Sequence, residues 1–126
     1  MIFMIESAKP RKQRKFRFTA PMHTRQNFVS AHISKELSSK LGIKRRSIEV
    51  RKGDTVKVMS GDSKGKSGKV LDVNLKTGKL RIDGVVRKNA KAKELQIPIY
   101  ASSVYLLDLD LTDKLRKAKI EAIAKK

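Results

Sequence analysis

Residues 53–70 read GDTVKVMSGDSKGKSGKV and contain four of the seven glycines in the chain. Val56 and Val58 alternate with Thr, Lys and Met, a period of two that predicts a half-buried β-strand. The next residues, 60–65, are rich in types that tolerate positive φ or close a turn with their own side chains. A second strand is expected to begin near Lys66. The stretch therefore predicts a β-hairpin with a long, polar and basic turn.

The residue spacing in this hairpin resembles a known motif. Gly-Asp-x-Val-x-Val-x-x-Gly, followed by Lys-Gly-x-x-Gly-x-Val, is similar to the KOW motif of ribosomal and transcription-associated proteins. The matching positions are Gly53, Asp54, Val56, Val58, Gly61, Lys64, Gly65, Gly68 and Val70. Gly68 falls inside the second strand, where a glycine often marks a bulge or the close approach of another backbone.

Period-two patterns continue on both sides of the hairpin. Ile48 and Val50 predict what we take to be the first strand of the chain. The second strand of the hairpin is expected to run through Val70 to Leu75. Later strands are predicted at residues 80–82, 85–86, 97–99 and 104–107, with a polar loop across residues 87–95. Pro98 confines its strand to a sheet edge, because proline cannot donate to a neighbour. Several short strands at close spacing indicate a small, mainly β barrel.

The region before the first predicted strand has a helical pattern. Val29, Ile33, Leu37 and Leu41 recur every four residues and could form one apolar stripe, with Pro21 in the first turn. Alternatively, Ser34 caps a separate second helix that Gly42 closes. We favour two short helices.

A further helix is predicted at the end of the chain. Thr112 is expected to cap it, with Asp113 in its first turn and Lys125 and Lys126 at its end, where each charge complements the helix dipole. Its predicted apolar face consists of Leu115, Ala118 and Ala122.

The composition points to a polyanionic partner. The chain has 31 Lys and Arg against 12 Asp and Glu, a net charge of +19. Self-repulsion on this scale opposes compactness unless a polyanion neutralises it, so nucleic acid is the first candidate and an anionic membrane the second. The candidate RNA-binding residues are Lys9, Arg11, Lys12, Arg14, Lys15, Arg17, His23, Arg25, Lys44, Arg45, Arg46, Arg51, Lys52, Lys64, Lys66 and Lys69.

The basic arm at residues 7–19 has six cationic residues and no acidic residue. A run of like charge with little to bury is expected to be disordered in the free protein and ordered on phosphates. The arm ends in Phe16 and Phe18, which alternate with cations. These rings are expected either to stack on exposed bases or to pin the arm to the folded domain.

The sequence argues against several other functions. It has no cysteine, and its two histidines lie nine residues apart, so we expect no metal site and no disulfide. Gly65-Lys66-Ser67 resembles the end of a phosphate-binding loop, but Ser60 occupies the required glycine position. No catalytic constellation stands out, so we expect neither an enzyme nor a cofactor or small-molecule substrate. No apolar run reaches the roughly 18 residues of a membrane span.

A wider resemblance covers residues 7–115. Beside the KOW motif it rests on segments at residues 20–23 (APMH), 34–37 (SKEL), 51–54 (RKGD), 97–99 (IPI), 103–104 (SV) and 107–109 (LDL), with the basic stretch PRKQRK. Together these are similar to the universal large-subunit ribosomal protein L twenty-four family, in its archaeal and eukaryotic branch.

The resemblance implies a mainly β fold with a small SH3-like KOW barrel. We divide the chain into a basic N-terminal extension with short helices (residues 1–46), the barrel (47–110) and a C-terminal helix (111–126). The resemblance also implies binding to large-subunit rRNA, contact with neighbouring ribosomal proteins, a role in early subunit assembly near the tunnel exit, and a cytoplasmic ribosomal location.

The alternative from another class is a KOW-domain transcription elongation factor that binds RNA polymerase. Such proteins resemble this chain only over the hairpin. They carry a larger folded domain before the KOW region than the roughly 50 residues present here.

Overall fold

The computed structural model describes residues 5–125 of the chain. This part is a mainly β, small barrel-like fold with seven strands in the order β2-β1-β7-β3-β4-β5-β6, together with four α-helices. The strands are β1 (Ser30–Ile33), β2 (Ser47–Glu49), β3 (Thr55–Val58), β4 (Ser67–Asn74), β5 (Lys79–Lys88), β6 (Glu94–Tyr100) and β7 (Val104–Asp108). The helices are α1 (Pro10–Thr19), α2 (Met22–Phe28), α3 (Lys35–Leu41) and α4 (Lys114–Ala124), with a 3-10 turn at Ala101–Ser103.

The predicted hairpin is confirmed as β3 and β4, which pair antiparallel with Val56 opposite Gly68. An ideal Cβ placed on Gly68 would lie 2.3 Å from the carbonyl oxygen of Asp83 in β5, so a neighbouring backbone does come close here. The register of β4 against β5 also shifts between Val70 and Asp72. Gly68 therefore allows β4 to lie tightly between its neighbours.

The core is built from the inward faces of these strands. Its fully buried side chains include Val56, Val58, Val70, Leu80, Ile82, Val85, Val104 and Leu106. Burying each of these side chains stabilises the fold by about 1.5–3 kcal/mol relative to leaving it exposed. The period-two residues of the sequence thus supply the core directly.

Residues 21–42 contain two helices, in agreement with the favoured prediction, but a strand separates them. Ser34 caps α3 by accepting a hydrogen bond from the Leu37 amide at 3.2 Å, and Gly42 ends it at φ +63°. The prediction that strands begin near Ser47 is wrong, because β1 pairs antiparallel with β2 and parallel with β7. Val29 and Ala31 are buried on either side of Ser30, a short alternation that the helical stripe concealed.

The later strands differ from the prediction in their lengths. Residues 80–86 belong to one continuous strand, β5, which passes through Gly84 at φ +76° instead of breaking there. The loop predicted across residues 87–95 shortens to 89–93, because β5 and β6 extend into it. Pro98 lies in β6, and β6 is the last strand of the sheet, as predicted.

The basic arm is helical, so the expectation of disorder across residues 7–19 is wrong for this structure. Pro10 begins α1, a position where its missing N–H costs nothing. The side-chain amide of Gln13 donates to the Ser7 carbonyl at 2.8 Å. The rings of Phe16 and Phe28 pack edge to face, with their centroids 6.1 Å apart. No residue of α1 is buried, so hydrogen bonds and contacts with the Phe28 ring hold it.

Helix α4 begins one residue later than predicted and packs through a different face. Asp113, not Thr112, is the cap, and its carboxylate accepts from the Leu115 amide at 3.0 Å. This bond, assisted by Arg51, holds the pKa of Asp113 below its usual value. Leu115 is 81% exposed, whereas Arg116 and Ile120 are buried. Lys126, predicted at the helix end, lies outside the described residues.

Candidate nucleic-acid interface

The positive charge of the protein lies at its surface. Fifteen of the sixteen candidate RNA-binding residues are exposed, and only Arg25 is half-buried. Within residues 5–125 there are just three ion pairs: Arg51 with Asp113, Arg116 with Asp54, and Lys119 with Glu49. Most lysines and arginines in this part of the chain are therefore available to an external anion.

Helix α1 presents the densest group of cations. Six candidate residues lie in α1 or directly before it, and all six are exposed: Lys9, Arg11, Lys12, Arg14, Lys15 and Arg17. The Arg17 guanidinium carbon lies 5.4 Å from the centroid of the Phe28 ring, a cation–π contact that adds to the Phe16 contact. Both contacts attach the basic helix to α2.

Arg25 has a structural role that sequence reasoning missed. Its Nε donates to the carbonyl of Ala20 at 2.8 Å, and its Nη2 donates to the carbonyl of Phe18. These are carbonyls at the end of α1 that lack helical partners. Arg25 therefore joins α2 to α1, while His23, near it in α2, is exposed.

A second basic group surrounds the groove between β2 and α4. Lys44 lines an adjoining cleft. Arg45 and Lys119, a residue of α4 that the sequence did not single out, line both that cleft and the groove. Arg51 lines the same groove and donates to Asp113 at 2.8 Å. The other members of this group, Arg46 and Lys52, are exposed nearby in the chain. The fold thus adds a cation from the C-terminal helix to the cluster predicted at residues 44–52.

The hairpin turn carries the third basic group. Lys64 and Lys66 are exposed in or next to the turn, and Lys69 is exposed in β4. Gly61 and Gly65 adopt φ of +91° and +87°, and an added Cβ at either position would have nothing within 4 Å. The turn is therefore an open, basic loop whose backbone is uncovered at both glycines.

Asp54 of the KOW motif is buried and does not belong to the surface. Its carboxylate forms a two-pronged ion pair with Arg116 of α4, at 2.5 and 2.7 Å, and both side chains are almost fully buried. It also accepts from the backbone amides of Arg51 at 2.8 Å and Asp110 at 3.0 Å. Arg116 in turn donates to the carbonyls of Asp110 and Glu49. This network fastens the C-terminal helix to the start of the hairpin.

Gly53 adopts a left-handed backbone conformation beside this network. Its φ is +95°, and a Cβ there would lie 2.7 Å from the Asp110 carboxylate. Thr112 donates to that carboxylate through its hydroxyl and its amide, which holds the pKa of Asp110 below its usual value. The Gly-Asp pair of the motif is therefore explained by packing against residues 110–116.

The Gly65→Val variant is expected to lower the free energy of unfolding by at least about 1–2 kcal/mol, because a side chain in the left-handed region is strained. Gly65→Asn should lose less, since asparagine tolerates this conformation. Urea unfolding of both variants measures the difference. If the Gly65→Val protein unfolds and binds RNA as wild type does, glycine is not needed at this position.

The Gly68→Ala variant is expected to lose about 1–3 kcal/mol, because its methyl group must displace the β5 backbone. Gly68→Asn should be no more stable than Gly68→Ala, because the space at this position is limiting and its φ is not in the left-handed region. Ser67→Ala, in the same strand and exposed, serves as the control and should change stability by less than about 0.5 kcal/mol. If the Gly68→Ala protein is as stable as wild type, the β5 backbone does not limit the space at position 68.

The structure also bears on other sites considered from the sequence. Gly65-Lys66-Ser67 leads into β4, as predicted, so no helix N-terminus follows this loop. Among residues 5–125 no three His, Asp or Glu side chains are grouped to hold a metal ion. No helix in the same range is both long and apolar enough to cross a membrane.

Comparison with known proteins identifies the family. The family model that describes the eukaryotic L26 and archaeal L24 ribosomal proteins matches residues 7–122. The chain belongs to this family. It is 48% identical over 115 residues to the large ribosomal subunit protein uL24 of Saccharolobus solfataricus, covering 91% of this chain and 95% of that protein. The uL24 protein of Methanocella arvoryzae is 46% identical over 118 residues and that of Pyrobaculum islandicum 43% over 115, covering 94% and 92% of those proteins.

Membership confirms the resemblance inferred from the KOW motif and its flanking segments. The matched range begins before α1 and ends inside α4, so the basic helix and most of the C-terminal helix belong to the family pattern. The chain is accordingly a ribosomal protein and not an enzyme.

Proposed function

We propose that the protein is a structural constituent of the large ribosomal subunit, where it binds rRNA through its three exposed basic groups and supports early subunit assembly near the tunnel exit. Its partners there are large-subunit rRNA and neighbouring ribosomal proteins, in the cytoplasm. The observation that carries rRNA binding is the excess of exposed cations over ion pairs: 31 basic residues in the chain and three pairs in its described part.

The mechanism we propose is electrostatic and steric. Lysine and arginine neutralise phosphates and release the counterions condensed on them. The barrel core and the Asp54–Arg116 pair hold the second and third groups on one scaffold, and Arg25 and the Phe28 ring join α1 to α2. With its cations held in this way, the protein recognises a folded RNA surface more than a base sequence. Shape and phosphate contacts are how proteins commonly recognise structured RNA. The open glycine turn at residues 60–65 lets backbone as well as side chains approach that surface.

The transcription elongation factor is the weaker alternative. That class resembles the chain only over the hairpin, whereas the ribosomal family model spans residues 7–122. The match therefore includes α1 and the Arg116 anchor, which a shared KOW hairpin alone would not explain.

Co-sedimentation tests the proposed function. Tagged protein expressed in an archaeal host should sediment with large subunits in low salt, remain through a moderate salt wash, and leave only when high salt competes for phosphates. Co-sedimentation with RNA polymerase and absence from large subunits would overturn the proposal in favour of the elongation factor.

A further inference from the structure

A cleft of about 520 Å³ lies between α1, the β4–β5 turn and the end of β6, and it adjoins the first basic group through Arg17. Its lining includes Arg17 and Phe18 of α1, Phe28 of α2, Lys76 of the turn, and Tyr100. We call it the aromatic cleft. Clefts of about 300–1,000 Å³ are the usual size of small-molecule and cofactor sites.

Two rings in the aromatic cleft have large free surfaces. Phe18 is 82% exposed and Tyr100 is 55% exposed. The neighbouring Phe16 is half-buried and packs on Phe28, so Phe16 supplies the contact that pins the helix. Phe18 is not needed for that role. The Phe18 ring is therefore free to contact a bound molecule.

The charges around the cleft define the chemistry of that molecule. Arg17 and Lys76 line the cleft, and among residues 5–125 no aspartate or glutamate lines it. The ammonium of Lys79 lies 5.0 Å from the centroid of the Tyr100 ring. Tyr100 is more than half exposed beside this cation, so part of its ring is accessible for stacking. The site therefore suits a molecule that combines a flat aromatic surface with negative charge.

We propose that the aromatic cleft binds an unpaired nucleotide of RNA, with its base stacked against Phe18 or Tyr100 and its phosphate near Arg17 and Lys76. An unpaired nucleotide is required because bases within a duplex are already stacked, whereas proteins read splayed bases by aromatic stacking. The inference rests on the proposed function and adds one base-dependent contact to binding that is otherwise phosphate-dependent.

The test uses full-length protein and two fluorescently labelled RNA probes, a ten-nucleotide oligoadenylate and an abasic strand with the same number of phosphates. Phe18→Leu and Tyr100→Leu each remove a ring but keep an apolar side chain. At least one of the two variants should weaken oligoadenylate binding about fivefold to a hundredfold, with abasic binding unchanged. Tyr105→Leu, on the separate strand β7, is the control and should bind oligoadenylate as tightly as wild type.

A second readout locates the contact without removing a ring from the cleft. The chain has no tryptophan and two tyrosines, so the Tyr105→Phe protein emits from Tyr100 alone. Oligoadenylate should quench this emission, and the abasic strand should not. Thermal unfolding of each variant checks that the fold is retained.

Two results separate this inference from the proposed function. If wild-type protein binds large-subunit rRNA but Phe18→Leu and Tyr100→Leu bind oligoadenylate as tightly as wild type, the aromatic cleft is not a base site and the proposed function stands. If wild-type protein does not bind rRNA at all, both are overturned.

Discussion

The affinity of the protein for large-subunit rRNA should fall about 10³–10⁵-fold between about 50 and 200 mM monovalent salt. This is the decrease expected when about 6–10 phosphates are neutralised, because each neutralised phosphate releases condensed counterions. The exposed cations of α1, residues 44–52 and the hairpin turn are sufficient to neutralise that number of phosphates. Fluorescence titrations at four or five salt concentrations give the slope directly.

Charge variants locate the cations behind that slope. Five candidates in or next to α1 make no aromatic contact, and they are replaced together by glutamine: Lys9, Arg11, Lys12, Arg14 and Lys15. The slope should decrease by about one for each phosphate that is no longer neutralised. Lys35 and Lys40 of α3 are exposed but lie outside the candidate set, so their glutamine variants are the control and should leave the slope unchanged. An affinity that does not vary with salt would refute phosphate-dominated binding.

The Arg116→Leu variant should lose about 3–5 kcal/mol of unfolding free energy, the cost of leaving one partner of a buried ion pair without the other. Asp54 is fully buried, and without Arg116 its carboxylate would retain only the amides of Arg51 and Asp110. Equilibrium unfolding in urea measures the loss.

The double variant Asp54→Asn/Arg116→Leu should recover part of that loss, because it removes the unpaired buried charge. Lys119→Ala is the control within the same helix. Its pair with Glu49 is 3.2 Å long but more than half exposed on the lysine side, so the change should be about 0–1 kcal/mol. Equal losses for Arg116→Leu and Lys119→Ala would show that the buried network does not anchor α4.

The hairpin and barrel strands could be predicted because their signals are local. The alternation of Val56 and Val58 predicts β3. Gly61 and Gly65 mark the turn after it, and Gly68 marks the place where the β5 backbone comes close to β4. Each of these signals depends on a few neighbouring residues, and burial acts on the same alternation. The cap at Ser34 and the left-handed end at Gly42 are confirmed for the same reason.

The features that sequence reasoning missed depend on distant partners. Strand β1 exists because β2 and β7 pair with it, and a segment of four residues carries too short a pattern to indicate this. The face of α4 is set by Arg116 reaching Asp54, 62 residues earlier. The buried face of α4 has helical spacing, at Arg116, Ile120 and Ile123. The sequence did not reveal this face because an arginine is not expected to be buried.

Competition between the two ribosomal RNAs tests the central claim most directly. Labelled protein bound to large-subunit rRNA, at about 200 mM salt, is challenged with unlabelled large-subunit or small-subunit rRNA at equal nucleotide concentration. Recognition of a specific folded site predicts that large-subunit rRNA competes far more effectively and saturates at one protein per molecule. Equal competition by the two RNAs would show that the basic surface binds any polyanion and would contradict the assignment.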